Sequence, residues 1–210
     1  GNEVLLKHGQ VDVLVNNAGR SIRRSVALSY DRFHDFERTM QLNYFGAVRV
    51  TMGVLPKMIE RRRGHVVNIS SISVLVNAPR FSAYVASKAA LDAWTACASS
   101  EFADQGITFT TVNMPLVRTP MTAPTKIYDS MPLLKPEEAA DMVVQACIDK
   151  PVRVATRLGI FGEVLHAAAP RITQIVMNTT FRMFPDSAAA KGEKAPKPQL
   201  SPEAIAMAQM

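Results

Sequence analysis

His65-Val66-Val67-Asn68-Ile69-Ser70-Ser71, followed by Tyr84 and Lys88 four apart, is the stretch that decides the fold. His65–Ile69 reads as a strand closed by Ser70-Ser71, and residues 82 to 103 read as a long helix. Upstream, Val11-Asp12-Val13-Leu14-Val15 is a short apolar run that ends in Asn16-Asn17-Ala18-Gly19, a buried strand and a tight turn. Between these two strands, Phe33, Phe36, Met40, Ala47, Val50, Val54 and Met58 recur at helical spacing over residues 31 to 60, and Asn43 falls on the same stripe. Downstream, Ile107–Val112 is rich in β-branched residues and reads as a third strand. A Pro-rich stretch over 114–136 follows. Pro136-Glu137-Glu138 then opens a helix to about Lys150, with proline in the first turn and acids at the positive end of the dipole. Val152–Thr156 is a fourth strand. Strands alternating with long helices imply an α/β fold, a doubly wound parallel sheet covered on both faces.

Composition agrees with one domain. The 210 residues are 48% hydrophobic and 20% charged, enough for a sizeable core. The net charge of +6 is spread along the chain. Its one run, Arg61-Arg62-Arg63, precedes Gly64 and reads as a solvated helix end, where cations are favourable. No aromatics interleave with the basic residues, so no nucleic-acid partner is expected. No uncharged stretch reaches the ~18 apolar residues of a spanning helix, and no signal peptide opens the sequence. Cys97 and Cys147 sit in helix-like segments and read as free buried thiols of a reducing, cytoplasmic compartment. No metal site is expected.

The candidate chemistry gathers where doubly wound folds bind ligands, at the C-terminal strand ends. Tyr84 and Lys88 share a helix face. Ser71 closes a strand, Asn43 lies on the preceding helix, and Asn16–Gly19 form the turn after the strand before that. A phenol ionises near ~10, too high for easy proton shuttling at neutral pH, and a nearby ammonium such as Lys88 would lower it. Ser71 and Tyr84 could together donate to an oxyanion, each such donor being worth about 3–4 kcal/mol. Asn43 on an apolar stripe would be costly without partners. Taken singly, each of these residues is more simply a packing tyrosine, a strand-end hydroxyl or a satisfied core amide; the joint order carries the reading.

That order, Asn-Asn-Ala-Gly, Asn, Ser, Tyr-x-x-x-Lys, resembles the short-chain dehydrogenase/reductase family over residues 1 to 157. The resemblance implies a Rossmann-like sheet and an NAD(P)-dependent oxidoreductase with Asn43, Ser71, Tyr84 and Lys88 as catalytic residues. It implies cofactor contacts from Asn17, Ala18, Gly19, Tyr84, Lys88, Val117 and Thr119. Lys88 would hold the nicotinamide ribose, and Asn43 a water in a proton relay. NADP or NAD would be the cofactor, with NADPH favoured by the resemblance. The pattern departs from the family at Asn113-Met114-Pro115-Leu116-Val117-Arg118-Thr119, where Pro115 stands in place of the usual glycine.

No Gly-x-x-x-Gly-x-Gly occurs in the 210 residues. The family's first strands and Gly-rich turn would therefore lie outside this chain, which would bind cofactor poorly and be inactive alone, and whose first strand would present an unpaired edge. The expected organisation is 1–157 as the C-terminal portion of the dinucleotide-binding domain, 158–185 as an apolar helical segment, 186–202 as a flexible tail and 203–210 as the start of another helix. The run Met114–Met121, with Ala123-Pro124-Thr125-Lys126 after it, looks like the bacterial fatty acyl-CoA reductases, which convert a long acyl thioester to an aldehyde. A steroid, retinoid or aliphatic alcohol dehydrogenase uses the same tetrad, and a non-catalytic Rossmann scaffold is the non-enzyme alternative. Expected partners are an apolar carbonyl or acyl-CoA and, in the complete protein, a second copy. Residues 158–184 have three open readings: an acyl channel, a peripheral membrane contact or a packing helix pair.

Overall fold

The computed structural model describes residues 2–122, 128, 132–184, 186 and 188–192. Helix α1 (Asn2–His8) precedes β1 (Val13–Asn16). Helix α2 (His34–Met40), a π-helical turn (Gln41–Gly46) and α3 (Ala47–Glu60) follow as one continuous rod. Then come β2 (Gly64–Ser71), α4 (Ile72–Val76), α5 (Ser82–Glu101), β3 (Ile107–Met114), α6 (Pro136–Asp149) and β4 (Arg153–Val154). Helices α7 (Arg157–Ala168), α8 (Pro170–Met183) and α9 (Ala188–Lys191) end the described chain. Among the described residues the four strands form one parallel sheet in the order β1-β2-β3-β4.

Strand alternation sorts the core into two layers. On one face Val66, Ile107 and Phe109 pack with Val54, Leu55 and Met58 of α3 and Ala98 of α5. On the other, Val67, Ile69 and Val112 pack with Ala146 of α6. The expected α/β architecture with a parallel sheet and helices on both faces is what the chain adopts. The turn into β3 needs Gly106: its φ is +75°, and a Cβ there would lie 2.1 Å from the Arg62 carbonyl oxygen.

Several local expectations are corrected. The long helix is not uniformly α. Its buried positions run Asp35, Thr39, Asn43, Ala47 and then Thr51, Val54 and Met58. The π turn holds one extra residue, which keeps five successive positions, Asp35 to Thr51, four apart on the inner side. The expected stripe is therefore out of phase at its ends, and Phe33 and Val50 are exposed. Arg61 is not simply a solvated helix end: it binds Asp12 Oδ1 and Gln10 Oε1 at 2.8 Å and the Val11 carbonyl at 2.8 Å, tying α3 to the start of β1. Both cysteines are free, but Cys97 is exposed and Cys147 only half-buried, so neither is the buried thiol expected. Alternate helix faces alone decide this, and the Cys97 face of α5 meets solvent. Strand β4 is two residues long, because Thr156 leaves the sheet to cap α7 through the Gly159 amide.

Residues 158–184 form the helix pair α7–α8. The outward side of that pair carries Leu158, Phe161, Val164, Ile172, Ile175 and Met183, all exposed. The Ala-rich start of the expected tail is helical over Ala188–Lys191, with Ala190 buried and its carbonyl taken by Arg24. The final helix start and the rest of the tail lie outside the described residues, as does Ala123–Lys126. No helix among the described residues is long and apolar enough to cross a membrane.

Candidate active site

Strands β1 and β2 and helices α3 and α5 bring Asn43, Ser71, Tyr84 and Lys88 to one end of the sheet. The π turn directs Asn43 fully inward, at 0% exposure. Its Oδ1 accepts from the Arg20 amide at 2.9 Å, and its Nδ2 donates to the Arg20 carbonyl and to Ser87 Oγ at 2.9 Å. The cost of burying an amide is thus met by pinning the turn after β1.

Lys88 is 3% exposed, and its Nζ donates to the Ile69 carbonyl at 2.6 Å. Burial drives its pKa down from 10.5 to about 8, partly opposed by the charge of Asp92. Gly19 closes over this group: a Cβ there would sit 3.3 Å from both Lys88 Nζ and Asn43 Oδ1. Asn17 and Ala18, just before it, are exposed.

Ser71 caps α4. Its Oγ accepts from the Ser73 amide at 3.2 Å and lies 2.9 Å from Ser73 Oγ. The same side chain reaches the Tyr84 phenol and favours its ionised form. Burial outweighs that effect, and Asp92 adds to burial, so the phenol is held above its ordinary value. The expectation that Lys88 lowers it is corrected. The ammonium hydrogen-bonds the Ile69 carbonyl, and desolvation of the phenol is the larger influence. In this state Tyr84 is a protonated donor at neutral pH.

Val117 and Thr119 lie in the segment after β3. Val117 bridges to Leu134, while the Thr119 amide donates to Thr122 Oγ1 at 3.1 Å. Three features have no counterpart in the sequence reading. Asp92, Asn113 and Arg153 form a polar chain behind Lys88: Asn113 Nδ2 donates to Asp92 Oδ2 at 3.3 Å, and Arg153 Nε donates to Asn113 Oδ1 at 2.8 Å. Tyr128 feels the charges of both Tyr84 and Arg23, with burial raising its own pKa. The end of α8 is stapled to the loops around the site, with Arg80 donating to the Phe181 carbonyl at 2.8 Å and pairing with Asp186 at 3.2 Å, and the Ser25 amide donating to the same Asp186 carboxylate at 3.1 Å. The helical spacing of Asp92 from Lys88 was the one signal available for any of these.

The donor set suits a nicotinamide ribose. Lys88 spends one of its three N–H groups on Ile69, and Gly19 leaves the space a side chain would fill.

Residues 2–128 match the family model described as short chain dehydrogenase. The chain is 58% identical over 192 residues to a protein named fatty acyl-CoA reductase from Acinetobacter baylyi, covering 91% of this chain and 65% of that protein. It is 47% identical over 170 residues to another protein of that name from Mycobacterium tuberculosis, covering 80% of this chain and 58% of that one. An uncharacterized oxidoreductase from Mycobacterium bovis is 50% identical, over 92% of this chain and 57% of its own length. The chain thus spans under two thirds of the length of these relatives. Among solved structures, a short-chain dehydrogenase from Streptomyces avermitilis matches with TM-score 0.69 at 28% identity, over 88% of this chain and 75% of that one.

Proposed function

The chain belongs to the short-chain dehydrogenase family, and from that premise we propose that it serves the NADPH-dependent reduction of a long-chain acyl-CoA to the aldehyde. The observation that carries the reading is the meeting of the Ser71 hydroxyl and the buried, protonated Tyr84 phenol beside a buried lysine. The names of the relatives support the thioester, and the apolar outer side of α7–α8 supports a substrate with a long apolar chain, met at a membrane edge.

A bound nicotinamide would supply the hydride. Lys88 would hold its ribose, and Asn17, Ala18, Gly19, Val117 and Thr119 would contact the rest of the cofactor. Ser71 donates a hydrogen bond to the thioester oxygen and orients it. As negative charge builds there, Tyr84 gives up its proton, the bond that would otherwise be a costly alkoxide becoming a hemithioacetal hydroxyl. That tetrahedral species then expels CoA thiolate, which takes the hydroxyl proton as the aldehyde forms, and a proton from solvent restores the Tyr84 phenol. Asn43 keeps the post-β1 turn in place, and Lys88, with one N–H given to Ile69, keeps its others for the ribose.

The test is a full-length preparation given palmitoyl-CoA with NADPH or NADH, following nicotinamide oxidation and free thiol together. Equal amounts of both are expected. A ketosteroid and a fatty aldehyde run in parallel: turnover of these alone, with no thiol released, would replace the thioester by an alcohol dehydrogenase reading. Unchanged function in Tyr84→Phe would instead mark a scaffold.

A further inference from the structure

Helix α5 presents Tyr84, Lys88 and Asp92 on successive turns of one face. The proposed chemistry uses the first two and leaves Asp92 unexplained. Its carboxylate is largely buried between α5 and the ends of β2 and β3. Asn113, itself 0% exposed, donates to Oδ2 at 3.3 Å. Ser70, 2% exposed, lies close enough to stabilise the charge, yet neither Ser70 Oγ nor Asp92 Oδ1 makes a hydrogen bond of ordinary geometry. Ser70 and Asn113 are register partners across β2 and β3. Lys88 grips Ile69, the residue just before Ser70. The two side chains therefore hold consecutive residues of the strand that ends in Ser71.

The charged groups around Asp92 leave little choice of counterion. Arg153 on β4 adds its charge to the surroundings of Asp92, but it hydrogen-bonds Asn113 and its guanidinium is already paired with Glu163 of α7 at 2.9 and 3.0 Å. Glu163 and His166 of α7 line the cavity of about 440 Å³ beyond Asp92, and Asn77, just after α4, is polar but neutral. Tyr84 is the remaining titratable neighbour, and a phenol offers no positive charge. Lys88 is the cation one turn away. A buried carboxylate and a buried ammonium each lose their charge when alone and keep it together.

We propose that Asp92 is a positioning residue for Lys88, a buried counterion that keeps the ammonium charged and seated at the β2 end while Asn113 and Arg153 brace the carboxylate from behind. The charge is the point, because an asparagine at 92 would keep the hydrogen bond from Asn113 and could give one to Ser70. This inference rests on the reductase reading of the site for its purpose, though its physics stands apart from turnover.

The experiment uses the full-length protein and reads Lys88 directly, by amine labelling across pH with mass spectrometry. The unsubstituted protein should show a midpoint near 8. Asp92→Asn should move it at least one unit lower, a tenfold loss of ammonium at a given pH, and Asp92→Glu should restore most of it. The alkaline limb of kcat/KM should shift by the same amount. A folded Asp92→Asn protein with an unmoved Lys88 midpoint overturns the proposal. If that variant does not fold, Lys88→Met carries the test: infrared spectroscopy should find the Asp92 carboxyl protonated at pH 7, and an ionised Asp92 there overturns the proposal equally. A midpoint that moves in a protein without reductase turnover leaves this inference standing and removes the proposed function.

Discussion

Two polar sets lie on the same face of the same sheet, about two turns of α5 apart, and they are built by opposite rules. In the middle of the sheet, Asn16 Nδ2 donates to Thr51 Oγ1 at 3.0 Å and to Asn68 Oδ1 at 2.7 Å, and Asn68 Nδ2 donates to Thr95 Oγ1 at 2.8 Å. Both threonines then donate to carbonyls of their own helices, Ala47 and Leu91. This ladder joins α3, β1, β2 and α5, is neutral, and closes on itself. At the strand ends, Lys88, Tyr84 and Asp92 are ionisable, shifted by burial and only partly matched. Structure wants every donor used. A reacting site keeps donors in reserve, at a cost in stability, and such shifted groups mark it.

The sharpest way to break the comparison is to exchange the consequences. Tyr84→Phe should lower kcat by about a thousandfold or more while thermal melting stays within a degree or two of the unsubstituted protein. A melt that collapses would make Tyr84 a packing residue. Asn68→Leu should do the reverse. It takes one buried partner each from Asn16 and Thr95, so urea denaturation should show a loss of about 2–4 kcal/mol, with kcat per folded molecule held within twofold. A third test separates the sets by pH. His65 is 1% exposed on the opposite face, between β3 and α6, and its pKa is lowered, chiefly by burial. Its folded pKa lies below the unfolded value of about 6.5, so its stabilising contribution is full above that pH and is lost as pH falls below it. His65→Gln should flatten the acid side of the stability curve and leave the alkaline limb of activity, set by Lys88, where it was. The smallest effect is expected at the boundary between cofactor cradle and turn. Gly19→Ala adds a Cβ 3.3 Å from Asn43 Oδ1 and Lys88 Nζ, and should raise the KM for the nicotinamide cofactor severalfold with under about 1 kcal/mol of stability change. An unaltered KM would detach Gly19 from the cradle.

The parts of the molecule legible in the sequence were those written in local periodicity. β2, α5 and β3 follow directly from apolar runs and helical spacing, and the tetrad follows from strand ends plus the Tyr84–Lys88 interval. What stayed hidden depends on contacts between distant segments. The π turn has no compositional mark in Gln41–Gly46, so the inward set of the long helix was misphased around Asn43. Arg61 looks like any cationic helix end until Asp12 arrives beside it. The elevated Tyr84 phenol could not be foreseen from a lysine one turn away, because its burial depends on how segments distant in sequence pack around it. Asn113 and Arg153 read as ordinary strand residues, and only the parallel register of β2, β3 and β4 lines them up behind Asp92.

The π turn also limits which changes of chain length this helix can absorb. One residue in a regular helix is worth about 100° of rotation, so deleting any single position within Gln41–Gly46 would relax the turn into ordinary helix and swing one half of the rod against the other. Either Asp35 and Thr39 or Thr51 and Val54 would then face water, and Asn43 could no longer reach the Arg20 backbone. Surface loops in this chain can lengthen or shorten at little cost. The residue count of this one rod is instead fixed by the packing of both its halves, an indel-intolerant ruler set by the π turn at Asn43.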